Sequence, residues 1–118
     1  MRFTVLLYVL YWKLKSASRK NKSFQSYISN MRARILIKTA DGRRGRLFIF
    51  DKGKVSSQAG AGSGFDVALV WSDAATAFRV MASRSDEQTF QAAARGQLKI
   101  EGMAYYAQWF SEGVKLVM

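Results

Sequence analysis

The chain has 118 residues with neither cysteine nor histidine, which excludes disulfides, thiolate metal sites, the Ser-His triad and the usual general base. Hydrophobic residues make up 49 %, the composition of one globular domain rather than of a disordered chain. Nineteen Lys/Arg face eight Asp/Glu, and residues 1–54 hold fourteen of the basic residues and only two acids, Asp41 and Asp51. Such a one-sided basic surface implies an anionic partner or, more blandly, a solvated face.

Residues 3–12 are apolar except Thr4 and too few to span a bilayer. Arg2 before this run is reminiscent of an export signal. Lys13, Lys15, Arg19 and Lys20 then crowd the place of an uncharged cleavage region. On a helical wheel Phe3, Leu6, Leu7, Leu10 and Leu14 form one face, and Val5, Tyr8, Val9 and Trp12 form the other. A helix apolar all round is buried, lies in a membrane interface, or joins a partner. The cations behind it suit an anionic headgroup layer. Phe3, Leu6, Leu7, Leu10, Trp12, Lys13, Lys15, Arg19 and Lys20 are therefore the candidate membrane or partner contacts.

Phe24, Tyr27, Ile28 and Met31 give a second, amphipathic helix. Four strands are expected next, over 32–39, 46–50, 54–58 and 66–71, with turns at Asp41-Gly42 and Lys52-Gly53. Residues 59–64 read as a glycine-rich loop. Short connections make the four strands an antiparallel meander. Ser72 or Asp73 caps a helix through Ala75, Phe78 and Met81. Ser85 and Gln88 have capping-box spacing for a helix ended by Gly96. Residues 97–101 alternate as a fifth strand with Leu98 and Ile100 inward, and a last helix runs from about residue 103. The fold class is α+β: a five-stranded, mostly antiparallel sheet covered on one face by helices.

No spacing of acids, Ser or Lys suggests catalysis or metal binding, so no catalytic residue, metal or cofactor is expected. Gly42-Arg43-Arg44-Gly45 matches a G-x-x-G phosphate clamp in letters only, because it joins strands rather than helices. Gly60-Ala61-Gly62-Ser63-Gly64 has the wrong spacing for a dinucleotide loop. The Met- and aromatic-rich second half serves as core or as the lining of an adaptable apolar pocket.

Gly96-Gln97-Leu98-Lys99-Ile100-Glu101-Gly102 resembles the G-x-L-K-(I/V)-x-G signature of the sterol carrier protein 2 family, here too placed before a C-terminal helix. Asp66-Val67-Ala68-Leu69-Val70-Trp71-Ser72 is similar to the family strand that leads into a capped helix. Arg34-Ile35-Leu36-Ile37 with Asp41-Gly42 is similar to its opening hairpin. The resemblance covers about residues 24–117. It implies an apolar tunnel between sheet and helices and non-covalent binding of a lipid of fatty acyl, sterol or isoprenoid type. It places the ligand-binding walls at Leu47, Ile49, Leu69, Phe78, Met81, Phe90, Leu98, Ile100, Met103, Tyr106 and Phe110. Met103 stands where the family often has an acid. The organisation expected is an apolar, basic helix at 1–20 and a lipid-binding domain at 21–118.

The function expected is non-catalytic binding or presentation of a hydrophobic lipid at a membrane surface. The alternative is a scaffold that self-associates or binds a protein partner through its first helix. Non-specific nucleic-acid binding by Arg43, Arg44, Arg46, Lys52 and Lys54 ranks third and is disfavoured. Lack of cysteine fits a reducing cytoplasm, with peripheral attachment to the inner face of a membrane.

Overall fold

A computed structural model describes residues 2–60 and 64–117. Helix α1 (Arg2–Lys20) takes in the apolar run and the basic cluster behind it. Its buried residues Phe3, Leu7, Leu10, Leu14 and Ala17 recur at spacings of four and three and form one seam. α2 (Lys22–Ile28) follows at once. Asn21 makes the junction: its Oδ1 accepts the Phe24 N–H at 3.1 Å, and its Nδ2 donates to the Leu116 carbonyl at 3.1 Å. One side chain thus caps α2 and ties down the end of the last helix.

The strands are β1 (Arg32–Thr39), β2 (Gly45–Asp51), β3 (Lys54–Ala59), β4 (Val67–Trp71) and β5 (Leu98–Gly102), in the spatial order β3-β2-β1-β4-β5. β1–β2, β2–β3 and β4–β5 are antiparallel, and β1–β4 is parallel. The sheet is mostly antiparallel, but the expected four-strand meander is corrected: β4 lies beside β1, not β3. The reason is burial on both faces. Ile35, Leu36 and Ile37 are all fully buried, so β1 needs apolar neighbours on each side. β3 is polar through Ser56, Ser57 and Gln58 and stays at the edge. Asp66 fixes the new pairing, because its carboxylate accepts the Arg34 N–H at 2.8 Å and its own N–H donates to the Arg34 carbonyl at 2.9 Å. The middle of the glycine-rich loop, residues 61–63, lies outside the described residues.

α3 (Ala74–Ser83) and α4 (Asp86–Ala94) separate β4 from β5, and α5 (Ala104–Val117) follows. Asp73 caps α3 by accepting the Thr76 N–H at 2.7 Å, and Ser85 caps α4 by accepting the Gln88 N–H at 3.2 Å. The turn from β5 into α5 requires glycine. Gly102 has φ +91°, and a Cβ there would lie 2.5 Å from the Asp66 carbonyl oxygen.

Register decides which strand residues meet the helices. Ile35, Phe48, Val67 and their neighbours two residues away share one face, as do Phe50, Leu69, Trp71 and Leu98. On this face Phe48 and Phe50 meet Phe110 of α5 at ring-centroid distances of 5.7 and 6.0 Å. Phe50 also meets Trp109 at 5.0 Å. Across the helix layer Tyr27 stacks on Trp109 at 5.6 Å and donates its hydroxyl to the Trp109 carbonyl at 2.8 Å. Burial is the first cause, and the nearby Glu112 charge the second, that hold the Tyr27 phenol above its ordinary pKa.

Candidate functional site

The β1–β2 half of the space between sheet and helices is thus filled by interlocking aromatic rings. Apolar surface opens instead at the β4–β5 end. Leu69 and Ile100 form a cross-strand pair on the helix face, with Trp71 opposite Leu98 one pair along. Leu98 is buried and Leu69 half-buried, whereas Ile100, which faces the same side as expected, is 47 % exposed. Ile100 stands on the outermost strand, where no further strand shields it. Met81 and Tyr106 pack half-buried against the core. Phe90 on α4 and Met103 in the turn before α5 are 76 % and 58 % exposed.

The remaining expected wall residues lie elsewhere. Phe110 is buried in the aromatic cluster. Phe78 is half-buried on α3, with the Arg2 guanidinium 6.0 Å from its ring centre. Leu47 and Ile49 pair with Leu36 and Arg34. The pleat therefore puts them on the opposite face of the sheet from Leu69, Leu98 and Ile100. That opposite face is basic, carrying Arg34, Lys38, Lys54 and Lys99 around Leu47, Ile49 and Val70.

Trp71 was not singled out by the sequence as part of a site. Its ring is buried on the helix face, and its Nε1–H has no acceptor among the described residues. A buried donor left unpaired costs about 1–3 kcal/mol. No signal in the sequence distinguishes it from an ordinary core tryptophan.

The first helix divides its expected contact residues in two. Phe3, Leu7 and Leu10 belong to the buried seam, and Leu6 is half-buried. Trp12, Lys13, Arg19 and Lys20 are exposed, and Lys15 is half-buried with its Nζ 3.2 Å from the Tyr11 hydroxyl. On the same outer side Val5, Tyr8 and Val9 are 58 %, 49 % and 43 % exposed, beside Trp12 at 51 %. Val9, Trp12 and Ala17, with Val117 of α5, floor an open groove of about 550 Å³ with Lys13 and Lys20 on its rim. Neither α1 nor α2 contains an acid. Among the described residues no helix is long and apolar enough to cross a membrane.

Most of the acids have local structural work. Asp73 and Asp66 bind backbone N–H groups, and Asp51 and Asp86 pair with Arg32 at 3.2 Å and Lys115 at 2.7 Å. In the β1–β2 turn the Thr39 hydroxyl, chiefly, and the Arg43 N–H hold the Asp41 carboxyl below the usual range. Among the described residues no three acids gather as metal ligands.

No family model matches the sequence, and no curated protein matches it. Solved structures do. A UbiJ-SCP2 ubiquinone synthesis protein superposes with a TM-score of 0.69 at 14 % identity, over 97 % of this chain and 89 % of that one. A sterol carrier protein 2 gives 0.58 at 20 % identity, over 92 % and 93 %. Sterol carrier protein 2 like 2 from Aedes aegypti gives 0.54 at 16 %, over 90 % and 94 %. The fold is sterol carrier protein 2-like. The match to the first of these takes in nearly the whole chain.

Proposed function

We propose that the protein binds a hydrophobic lipid without catalysis and works against an anionic membrane surface. The outer face of α1 carries this reading. Four large apolar side chains there stay in water on a sterol carrier protein 2-like fold, next to lysines and with no acid on the helix. That combination meets a layer whose interior is apolar and whose headgroups are anionic. Trp12 and Tyr8 suit the boundary between the two.

The ligand enters at the β4–β5 end. Ile100, Met103 and Phe90 form the mouth, Leu69, Met81, Leu98 and Tyr106 line the way in, and the Trp71 Nε1–H donates to a carbonyl or hydroxyl of the lipid. Phe110 closes the inner end, and Phe78 supports α3 from outside. Leu47 and Ile49 take no part. The similar solved structures, a sterol carrier protein and a ubiquinone synthesis protein, support an acyl, sterol or isoprenoid ligand. Titration with a fluorescent fatty acid tests the binding step. Saturable uptake approaching one per chain is expected, with competition by unlabelled lipid. No saturable uptake overturns the reading.

A further inference from the structure

We propose that the free edge of β5 pairs with β5 of a second copy of this chain, antiparallel about a two-fold axis at Ile100. The inference goes beyond the lipid reading and shares Ile100 with its ligand mouth, so the dimer and the open mouth are alternative uses of that side chain. β5 ends the sheet, with β4 on one side only. Its hydrogen-bond phase is fixed by two bonds. The Ser72 N–H donates to the Gln97 carbonyl at 2.8 Å, and the Met103 N–H donates to the Asp66 carbonyl at 3.0 Å. In an antiparallel ladder bonded pairs recur every second residue, so Lys99 and Glu101 turn their backbone groups to β4. The N–H and C=O of Ile100 therefore point outward, and they take no backbone partner among the described residues.

Two copies centred on Ile100 exchange these groups with each other. The same register sets Lys99 directly opposite Glu101 of the second copy, twice over, as the closer, non-bonded type of pair. Both side chains are exposed, and neither has an ion-pair partner among the described residues. A lone lysine on an edge strand works against such pairing. Here the glutamate two residues on converts that barrier into a charge match, and it does so for this one register. A shift by two residues sets Lys99 against Lys99 or Glu101 against Glu101. On the helix face, the same axis brings the 47 % exposed Ile100 side chain against its own copy. The two five-stranded sheets become one of ten strands, with both helix layers on the same side.

Sedimentation velocity of the full chain from micromolar to several hundred micromolar tests this. The wild type is expected to show a monomer–dimer equilibrium. Lys99→Glu and Glu101→Lys are each expected to weaken it at least tenfold. An equimolar mixture of the two variants restores dimers, because each supplies the charge that the other lacks. The double variant also restores them. Ile100→Pro removes the outward N–H together with the isoleucine side chain at the axis and serves as a check that does not rely on charge. A wild type that stays monomeric throughout overturns the proposal. So does a dimer that persists in both charge variants, or a mixture that remains monomeric.

Discussion

Substitution of Trp12 separates membrane contact from folding, because the side chain lies half in solvent on a helix that is otherwise held by its opposite face. A tryptophan presents roughly 200 Å². At 51 % exposure about 100 Å² of Trp12 is free to enter a lipid interface. At ~25 cal/mol per Å² this is worth about 2 kcal/mol once the alanine methyl is allowed for, or ~30-fold in partitioning. Trp12→Ala is therefore expected to lower co-sedimentation with phosphatidylserine-containing vesicles by about that factor and to leave urea unfolding unchanged. Lys13→Ala with Lys20→Ala is expected to cost about 1 kcal/mol per lysine. That loss appears at low salt on anionic vesicles and vanishes on neutral ones. Leu10→Ala is the opposite control. Leu10 is 5 % exposed in the seam, so its truncation costs about 2–5 kcal/mol of stability. Trp12→Ala vesicle binding equal to that of the wild type, or binding indifferent to headgroup charge, refutes the reasoning.

Two further predictions concern the frame. Gly102→Ala is expected to destabilise by more than about 1–3 kcal/mol in chemical denaturation, since it adds a strained φ to a collision with the Asp66 carbonyl. Asp73→Asn keeps the cap of α3 but removes its titration. The Thr76 N–H, first, and the Thr76 hydroxyl, second, hold the Asp73 carboxyl below its ordinary pKa. A depressed folded pKa gives stability that is present above the unfolded value near 4 and is lost as pH falls through the lower folded value. The wild type is therefore expected to lose stability relative to Asp73→Asn as pH falls below about 4, by a small amount because the carboxylate is nearly fully solvated. Unfolding curves of the pair over that range check it.

The elements were legible in the sequence because each carries its own period or stop signal. The seam of α1, the caps Asp73 and Ser85, and the glycines around β5 all behave as their residue types dictate. Pairing and parity were not. Residues Leu47 to Phe50 are apolar at every position, so period-two alternation has nothing to alternate with. Only the register with β1 reveals that Phe48 and Phe50, not Leu47 and Ile49, face the helices. Likewise the short loop before β4 suggested a meander. The deciding fact, that β1 is buried on both faces, appears only when the neighbours are in place. The two faces of α1 were readable as apolar, but which one the domain covers depends on contacts with α3, α5 and the sheet edge.

Native mass spectrometry of the protein as purified, followed by extraction and lipid analysis, addresses the central claim most directly. The account predicts a chain mass with one added lipid, or uptake of one fatty acid or isoprenoid per chain when these are supplied. A clean mass of 13.3 kDa per chain that takes up neither contradicts it.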